Sequence, residues 1–219
     1  MAGDGYRPEW GNYGRDSGGE CGVPAARRFV MPASNNDGGS SNGIFWYSYD
    51  HGLIHTVVIS SEHDLSPGSP QYGWLESDLR NVDRATTPFL VVESHRPLYN
   101  SEDVPANALV SSHMRRSIET LLRDRGVDLF LAGHYHAYLR ACAGLYRSKC
   151  DGGGPVHITV GSAGAELDRY PLYEQDWTES FIQEWGYGRI TAYNATALKF
   201  EFVSDAEGDV RDTAWILKD

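Results

Sequence analysis

Three histidines follow two apolar runs of the chain and are the residues best suited to bind a metal ion. His95 comes shortly after the apolar run 89–92, and His134 and His136 come after the apolar run 127–132. Imidazole is a common ligand of zinc, copper and iron. Because open α/β sheets bind their ligands at the carboxyl ends of strands, we expect the three side chains to lie at one edge of a sheet.

The spacing of His134 and His136 favours two metal ions over one. Alternate residues of an extended chain point the same way, roughly 6–7 Å apart at ~3.3 Å per residue. That separation suits ligands of two ions ~3.5–4 Å apart better than chelation of a single ion. We expect Gly133 to let the backbone turn sharply out of the sheet. Taken singly, a histidine such as His95 at the end of a strand is more often a hydrogen-bonded loop residue, so the prediction depends on the three histidines together.

Apolar periodicity predicts the elements that position these histidines. The runs 89–92 and 127–132 are continuously apolar, as in strands of a sheet that is covered on both faces. Between them, apolar residues at three- and four-residue steps predict a helix over about 107–125. The residues expected on its inward face are Leu109, Val110, Met114, Ile118, Leu121 and Leu122. Strand, helix and strand in this order predict a parallel pair with a right-handed crossover.

The flanking segments extend this pattern to one α/β domain over residues 44–219. Two β-rich runs on either side of residues 50–52 predict a hairpin, and Ser69 followed by Pro70 is typical of a helix start. A strand is expected at 156–160, and later strands are expected to form an antiparallel meander at 189–193, 198–203 and 210–217. Residues 1–43 are rich in Gly, Ser, Asn and Asp, and we expect them to be mainly loop.

Composition excludes several classes of protein. The 219 residues carry 19 Lys and Arg against 30 Asp and Glu, a net charge of −11 that argues against binding nucleic acid through its phosphates. No stretch approaches the ~20 consecutive apolar residues of a membrane helix, so no membrane association is expected. The residues after Met1 resemble no signal peptide.

The sequence also contains candidate sites of covalent modification. Cys142 and Cys150 could close a small loop through a disulfide, or they and Cys21 could all be reduced. Asn194 lies in an acceptor sequence for N-glycosylation.

Two segments resemble the last two metal-binding motifs of purple acid phosphatases, which are binuclear metallophosphoesterases. They read VVESHRPLY at 91–99 and GHYHAYLR at 133–140. Further similarity lies in DSGGECGVP at 16–24, GSPQYGWL at 68–75 and WGYG at 185–188. The resemblance implies that the chain is α/β, forming part of a four-layer α/β/β/α metallophosphoesterase sandwich with a C-terminal antiparallel meander.

The same resemblance implies an activity and a cofactor. The family hydrolyses phosphate monoesters at acid pH with a metal-bound hydroxide at a centre of Fe plus Zn, Mn or Fe. By carry-over, His95 and His134 would bind the divalent ion and His136 the ferric ion. Family members are glycoproteins with a secreted, lysosomal or vacuolar address, which we therefore expect here.

The ligand set of this chain departs from the family pattern. Three earlier motifs, which supply a bridging Asp, a Tyr and a Gly-Asn-His segment, are not recognisable; Asp4 and Asn12 only imitate them, and Tyr13 stands where a His is needed. We therefore expect the C-terminal part of a catalytic domain, without its N-terminal half and impaired on its own. The alternatives are an inactive fragment or pseudoenzyme that binds metal or a partner, and a chain that oligomerises or pairs through exposed sheet edges.

Overall fold

A computed structural model describes residues 23–32, 42–101, 105–168 and 175–218. Its helices are α1 (Val23–Arg28), α2 (Pro70–Asn81) and α3 (Pro105–Asp124). Its strands are β1 (Tyr47–His51), β2 (Ile54–Ile59), β3 (Phe89–Ser94), β4 (Leu129–Ala132), β5 (Tyr138–Ala141), β6 (Val156–Val160), β7 (Thr178–Ile182), β8 (Gly186–Asn194), β9 (Ala197–Ser204) and β10 (Val210–Leu217). Helix α1 lies within the segment predicted to be mainly loop. Asp4, Asn12, Cys21 and most of the motif at 16–24 lie outside the described residues.

The larger sheet has seven strands in the order β1-β2-β3-β4-β6-β5-β7. The predicted hairpin is confirmed, because β1 and β2 pair antiparallel. Strands β2, β3, β4 and β6 are parallel neighbours, so the predicted parallel pair on either side of α3 is confirmed as well. Strands β5 and β7, which periodicity did not predict, extend the sheet antiparallel beyond β6.

Two helices cover one face of this sheet. Helix α2 begins as the sequence predicts, with the Ser69 hydroxyl accepting the amide of Tyr72 at 3.2 Å and Pro70 in the first turn. The buried positions of α3 recur at three- and four-residue steps at Val110, Met114, Ile118, Leu121 and Leu122. The prediction for Leu109 is wrong, since that side chain is 68% exposed. At 3.6 residues per turn it falls on the same outer stripe as residues 113 and 116.

The three-stranded sheet, in the order β10-β9-β8, covers the other face. It is the predicted antiparallel meander, and its Phe200 and Phe202 pack against Val91 and Tyr138 of the larger sheet. Within this sheet, Gly188 of β8 leaves room for the Phe200 ring of β9, because a Cβ atom at Gly188 would lie 2.8 Å from that ring. The described residues thus form helix, sheet and sheet layers, which confirms the predicted fold class.

A disulfide joins Cys142 and Cys150 at the end of β5, with their Cα atoms 5.7 Å apart. Their sequence separation of 8 residues makes this a small loop, one of the two alternatives that the sequence left open. Across the described ranges, no helix combines the length and apolarity that crossing a bilayer requires.

Candidate functional site

His95 and His134 lie side by side at the carboxyl ends of β3 and β4, as the sequence predicts. Nδ1 of His134 is 3.1 Å from Nε2 of His95, and the two rings are nearly perpendicular with centroids 5.0 Å apart. The amide of Gly133 donates to the carbonyl oxygen of His95 at 3.0 Å, which ties the end of one strand to the other. Parallel pairing of adjacent strands therefore brings together two imidazoles that are 39 residues apart in the sequence.

The backbone between His134 and His136 is not extended, so the predicted arrangement of two imidazoles on one straight stretch is wrong. His134 has φ +69°, in the left-handed region, and the amide of Tyr135 donates to the carbonyl of Gly133 at 2.8 Å. The turn is therefore at His134 rather than at Gly133. Gly161 permits it, because a Cβ atom at that position would lie 1.7 Å from the carbonyl oxygen of Tyr135.

His136 is held by the loop that follows β6 rather than by the other two histidines. Its amide donates to Oδ2 of Asp168 at 2.7 Å, and its Nδ1 lies 2.7 Å from the carbonyl oxygen of Glu166. A carbonyl oxygen can only accept, so Nδ1 carries a proton and donates it in this contact. This second contact is typical of histidines that bind metals through the other nitrogen.

Arg96 contacts the histidine pair directly. Its Nη1 lies 3.0 Å from Nε2 of His134, and its Nε donates to Oε1 of Glu62 at 2.6 Å. Glu62 in turn accepts a hydrogen bond from the Ser61 hydroxyl at 3.0 Å. The site therefore contains a guanidinium and a carboxylate that the histidine pattern alone did not predict.

Burial and the neighbouring cation keep both imidazoles of the pair neutral. Burial lowers the pKa of His134 to about 4, with further lowering by Arg96 and His95. The pKa of His95 is also lowered, chiefly by burial, although Glu62 partly opposes the effect. Neutral imidazole is the form that binds a metal ion. Both members of the pair are thus in a ligating protonation state at neutral pH.

A cavity of about 560 Å³ opens beside the pair, at the carboxyl ends of the parallel strands. Its walls include His95 and Gly133 from the larger sheet and Ile190 and Phe200 from the meander. Glu93 also lines it, and burial raises the pKa of that carboxyl. A mainly apolar cleft with a few polar groups at its rim is the usual form of a small-molecule site.

The described residues do not fit a binuclear metal centre. Nowhere in the parts of the chain that the structure describes do three His, Cys, Asp or Glu side chains come together in a way that could hold an ion. His95 and His134 contact each other, whereas the hydrogen bonds of His136 go to the loop after β6. Two imidazoles suit part of a zinc or copper site better than a ferric one, which prefers oxygen ligands.

Comparison with known protein families shows to which family this chain belongs. A model of the calcineurin-like phosphoesterases matches residues 6–138, and a model of the iron/zinc purple acid phosphatase-like protein C region matches residues 154–213. The chain belongs to the purple acid phosphatase family. The resemblance drawn from the two histidine motifs is therefore confirmed. The motif at 91–99 lies inside the phosphoesterase match, and the match ends within the motif at 133–140, after all three histidines.

Several relatives are similar over nearly the whole chain. "Probable inactive purple acid phosphatase 9" of Arabidopsis thaliana is 36% identical over 97% of this chain and 36% of its own length. A nucleotide pyrophosphatase/phosphodiesterase of Hordeum vulgare is 32% identical over 100% of this chain and 62% of its own length. A purple acid phosphatase from yellow lupin (Lupinus luteus) seeds superposes with a TM-score of 0.81 at 31% identity, over 93% of this chain and 37% of that one. The chain thus spans between about a third and two thirds of these relatives.

Sequence reasoning about this purple acid phosphatase family member missed Arg96, Glu62 and Asp168 as parts of the site. Arg96 was visible as the neighbour of His95, but nothing in the pattern gave it a role. Glu62 follows β2, and Asp168 follows β6, so their approach depends on strand order across the sheet. The signal that could have found them is an ionisable residue shortly after each parallel strand.

Proposed function

We propose that this chain carries part of a phosphate monoester hydrolase site, that of an acid phosphatase, and has little or no turnover on its own. The observation that carries the proposal is the contact between His95 and His134, neutral imidazoles from the two family motifs at one sheet edge. In this class of enzyme, metal ions supply the nucleophile and offset the charge on phosphorus. Because the described residues contain no group of three His, Cys, Asp or Glu side chains that could hold an ion, we expect the isolated chain to hold at most one ion.

Metal content and hydrolysis, measured on the same sample, test the proposal. We expect zero or one metal per chain by elemental analysis and little release of p-nitrophenol from p-nitrophenyl phosphate at pH ~5. A diester, bis-p-nitrophenyl phosphate, should be assayed beside it, because the barley relative is named as a phosphodiesterase. The variant is His134→Ala and its matched control is His51→Ala, an exposed histidine on β1. Two metals per chain, with turnover that only His134→Ala removes, would contradict the expected impairment.

A second candidate function is an inactive metal- or partner-binding module. Two observations favour it: the Arg96 contact on His134, and the names of Arabidopsis relatives 9, 27, 24 and 1, which all include the word inactive. Zinc binding that His134→Ala abolishes, in a sample that hydrolyses neither ester, would favour this module over a weak phosphatase. Measurable hydrolysis that depends on His134 would exclude it.

We also propose the address and modification that the family implies, which are secretion or a lysosomal or vacuolar location and N-glycosylation. Asn194 is exposed at the end of β8, and its Oδ1 accepts from the amide and hydroxyl of Thr196 in the turn to β9 at 2.9 and 3.0 Å. Expression through a secretory pathway should give a form whose mobility increases after glycosidase treatment. Asn194→Gln should lack that shift, and a shift that persists in the variant would exclude this acceptor.

Oligomerisation through sheet edges remains part of the proposal. Strand β1 is one edge of the larger sheet, β7 being the other, and Tyr49, Asp50 and His51 of β1 are exposed. An edge strand presents unpaired backbone groups to other chains, and charged residues such as Asp50 discourage such pairing. Light scattering across a concentration series should show association, whereas a monomer at every concentration would exclude it.

A further inference from the structure

Four side chains at the candidate site form a continuous series of polar contacts. Oε1 of Glu62 is 2.6 Å from Nε of Arg96, and Nη1 of Arg96 is 3.0 Å from Nε2 of His134. Nδ1 of His134 is then 3.1 Å from Nε2 of His95. The series, which we call the Glu62–His95 relay, begins after β2 and ends after β3.

The first donor fixes the direction of every hydrogen bond in the relay. A guanidinium has five N–H donors and no acceptor, so Arg96 must donate to Nε2 of His134. That nitrogen therefore has a lone pair and no proton. Since a neutral imidazole carries one N–H, the proton of His134 is on Nδ1, which donates to Nε2 of His95. The proton of His95 is then on its own Nδ1.

With the hydrogen bonds in this direction, the lone pairs that would bind a metal ion are already occupied as hydrogen-bond acceptors. The lone pair of His134 Nε2 accepts from Arg96, and the lone pair of His95 Nε2 accepts from His134. Arg96 also places a full positive charge beside the nitrogen that would bind the cation, and like charges at this distance repel. The charge is held in position by Glu62, and the Arg96 and Glu62 side chains are only 23% and 32% exposed.

We propose that Arg96, anchored by Glu62, is a positioning residue that keeps divalent cations off the His95–His134 pair. An ion can bind the pair only after it displaces the guanidinium and reverses the His134 tautomer. The proposal rests on the assignment of this pair as the metal-binding part of the proposed phosphatase site. It adds a determinant of metal affinity that lies outside the histidine motifs and acts through His134.

Zinc affinity tests the proposal without any need for turnover. Zn²⁺ is titrated into the metal-free full chain at pH 7 in competition with a chromophoric chelator. We expect Arg96→Ala to bind Zn²⁺ at least tenfold more tightly than the wild type, and Glu62→Gln, which releases the guanidinium, to shift affinity in the same direction. The matched control is Arg80→Ala, an exposed arginine of α2 that should leave affinity unchanged. Equal affinity of wild type and Arg96→Ala would overturn the proposal.

The tautomers provide a second readout that a purely structural role of Arg96 would not produce. Long-range ¹H–¹⁵N spectra of the metal-free protein should show His134 and His95 protonated on Nδ1. In Arg96→Ala, His134 should lose this preference while the backbone spectrum keeps its dispersion. A proton on Nε2 of His134 in the wild type would overturn the relay. Because neither measurement involves an ester, failure of the relay is distinguishable from failure of the proposed phosphatase function.

Discussion

Replacing Asp212 by alanine removes a polar contact between the two sheets. Asp212 of β10 accepts from Nε and Nη2 of Arg140 at 2.6 and 3.0 Å and from the hydroxyl of Tyr138 at 2.5 Å. The side chains of Arg140 and Asp212 are 18% and 12% exposed. Burial by itself would raise the pKa of Asp212, but the bonds from Arg140 and Tyr138 outweigh burial and hold that pKa below its ordinary value.

The structure gives the expected size of the effect. Removing one partner of a buried ion pair costs ~3–5 kcal/mol. Because Arg140 retains some access to water, we expect the lower end, ~3 kcal/mol of unfolding free energy. With a urea slope of ~3 kcal/mol per molar for a chain of this size, the unfolding midpoint should fall by ~1 M. The midpoint is measured in urea titrations that are monitored by circular dichroism.

A surface ion pair provides the matched control. Glu184 is a partner of Arg211, and the Glu184 side chain is 43% exposed. Glu184→Ala should therefore lower the free energy of unfolding by under ~1 kcal/mol. The lowered pKa of Asp212 also determines how its contribution to stability depends on pH. That contribution is complete above the ordinary pKa of 3.8 and is lost as the pH falls through the pKa of the folded state. Equal midpoints for Asp212→Ala and Glu184→Ala at pH 7 would refute the reasoning.

Three further perturbations have expected outcomes. Burial opposes protonation of His55, but its two aspartate partners raise the pKa above 6.5, so His55→Ala should lose more thermal stability at pH 6 than at pH 9. A loss that is the same at both pH values would contradict this sign. Gly161→Ala places a Cβ against a backbone carbonyl and should cost ~1–3 kcal/mol in urea while shifting the histidine resonances; unshifted resonances would argue against it. Replacing Cys142 and Cys150 by serine should cost ~2–3 kcal/mol, and an unchanged melting temperature would exclude this.

Local patterns in the sequence predict the elements whose stability is mostly local. Helix α3 and the strands on either side of it follow from apolar periodicity, and the start of α2 follows from Ser69 and Pro70. Strands β5 and β7 do not, because their sequences, YLRA and TESFI, contain no continuous apolar run like the LFLA of β4. Leu109 is wrongly assigned to the inward face of α3 because it is an apolar residue directly beside the buried stripe in the sequence.

The site follows the same division. The histidines could be identified as a group from their positions after parallel strands, and the contact between His95 and His134 follows from strand order. The left-handed backbone conformation of His134 could not be predicted, since it depends on the close approach of Gly161 from another loop. The contact of Arg96 with His134 depends on side-chain placement, which no spacing in the sequence encodes.

The two sheets differ in how their strands are connected, and this sets an order of folding. Strands β8, β9 and β10 are joined by short turns, so the meander brings together residues that are close in the chain. Strands β2, β3, β4 and β6 pair only after crossover segments such as α2 and α3 are in place. Contacts between residues near in sequence form faster than contacts that close long loops. The meander should therefore form early, with Phe200 and Phe202 still uncovered, and the histidine pair is assembled only when the slower sheet closes over those rings.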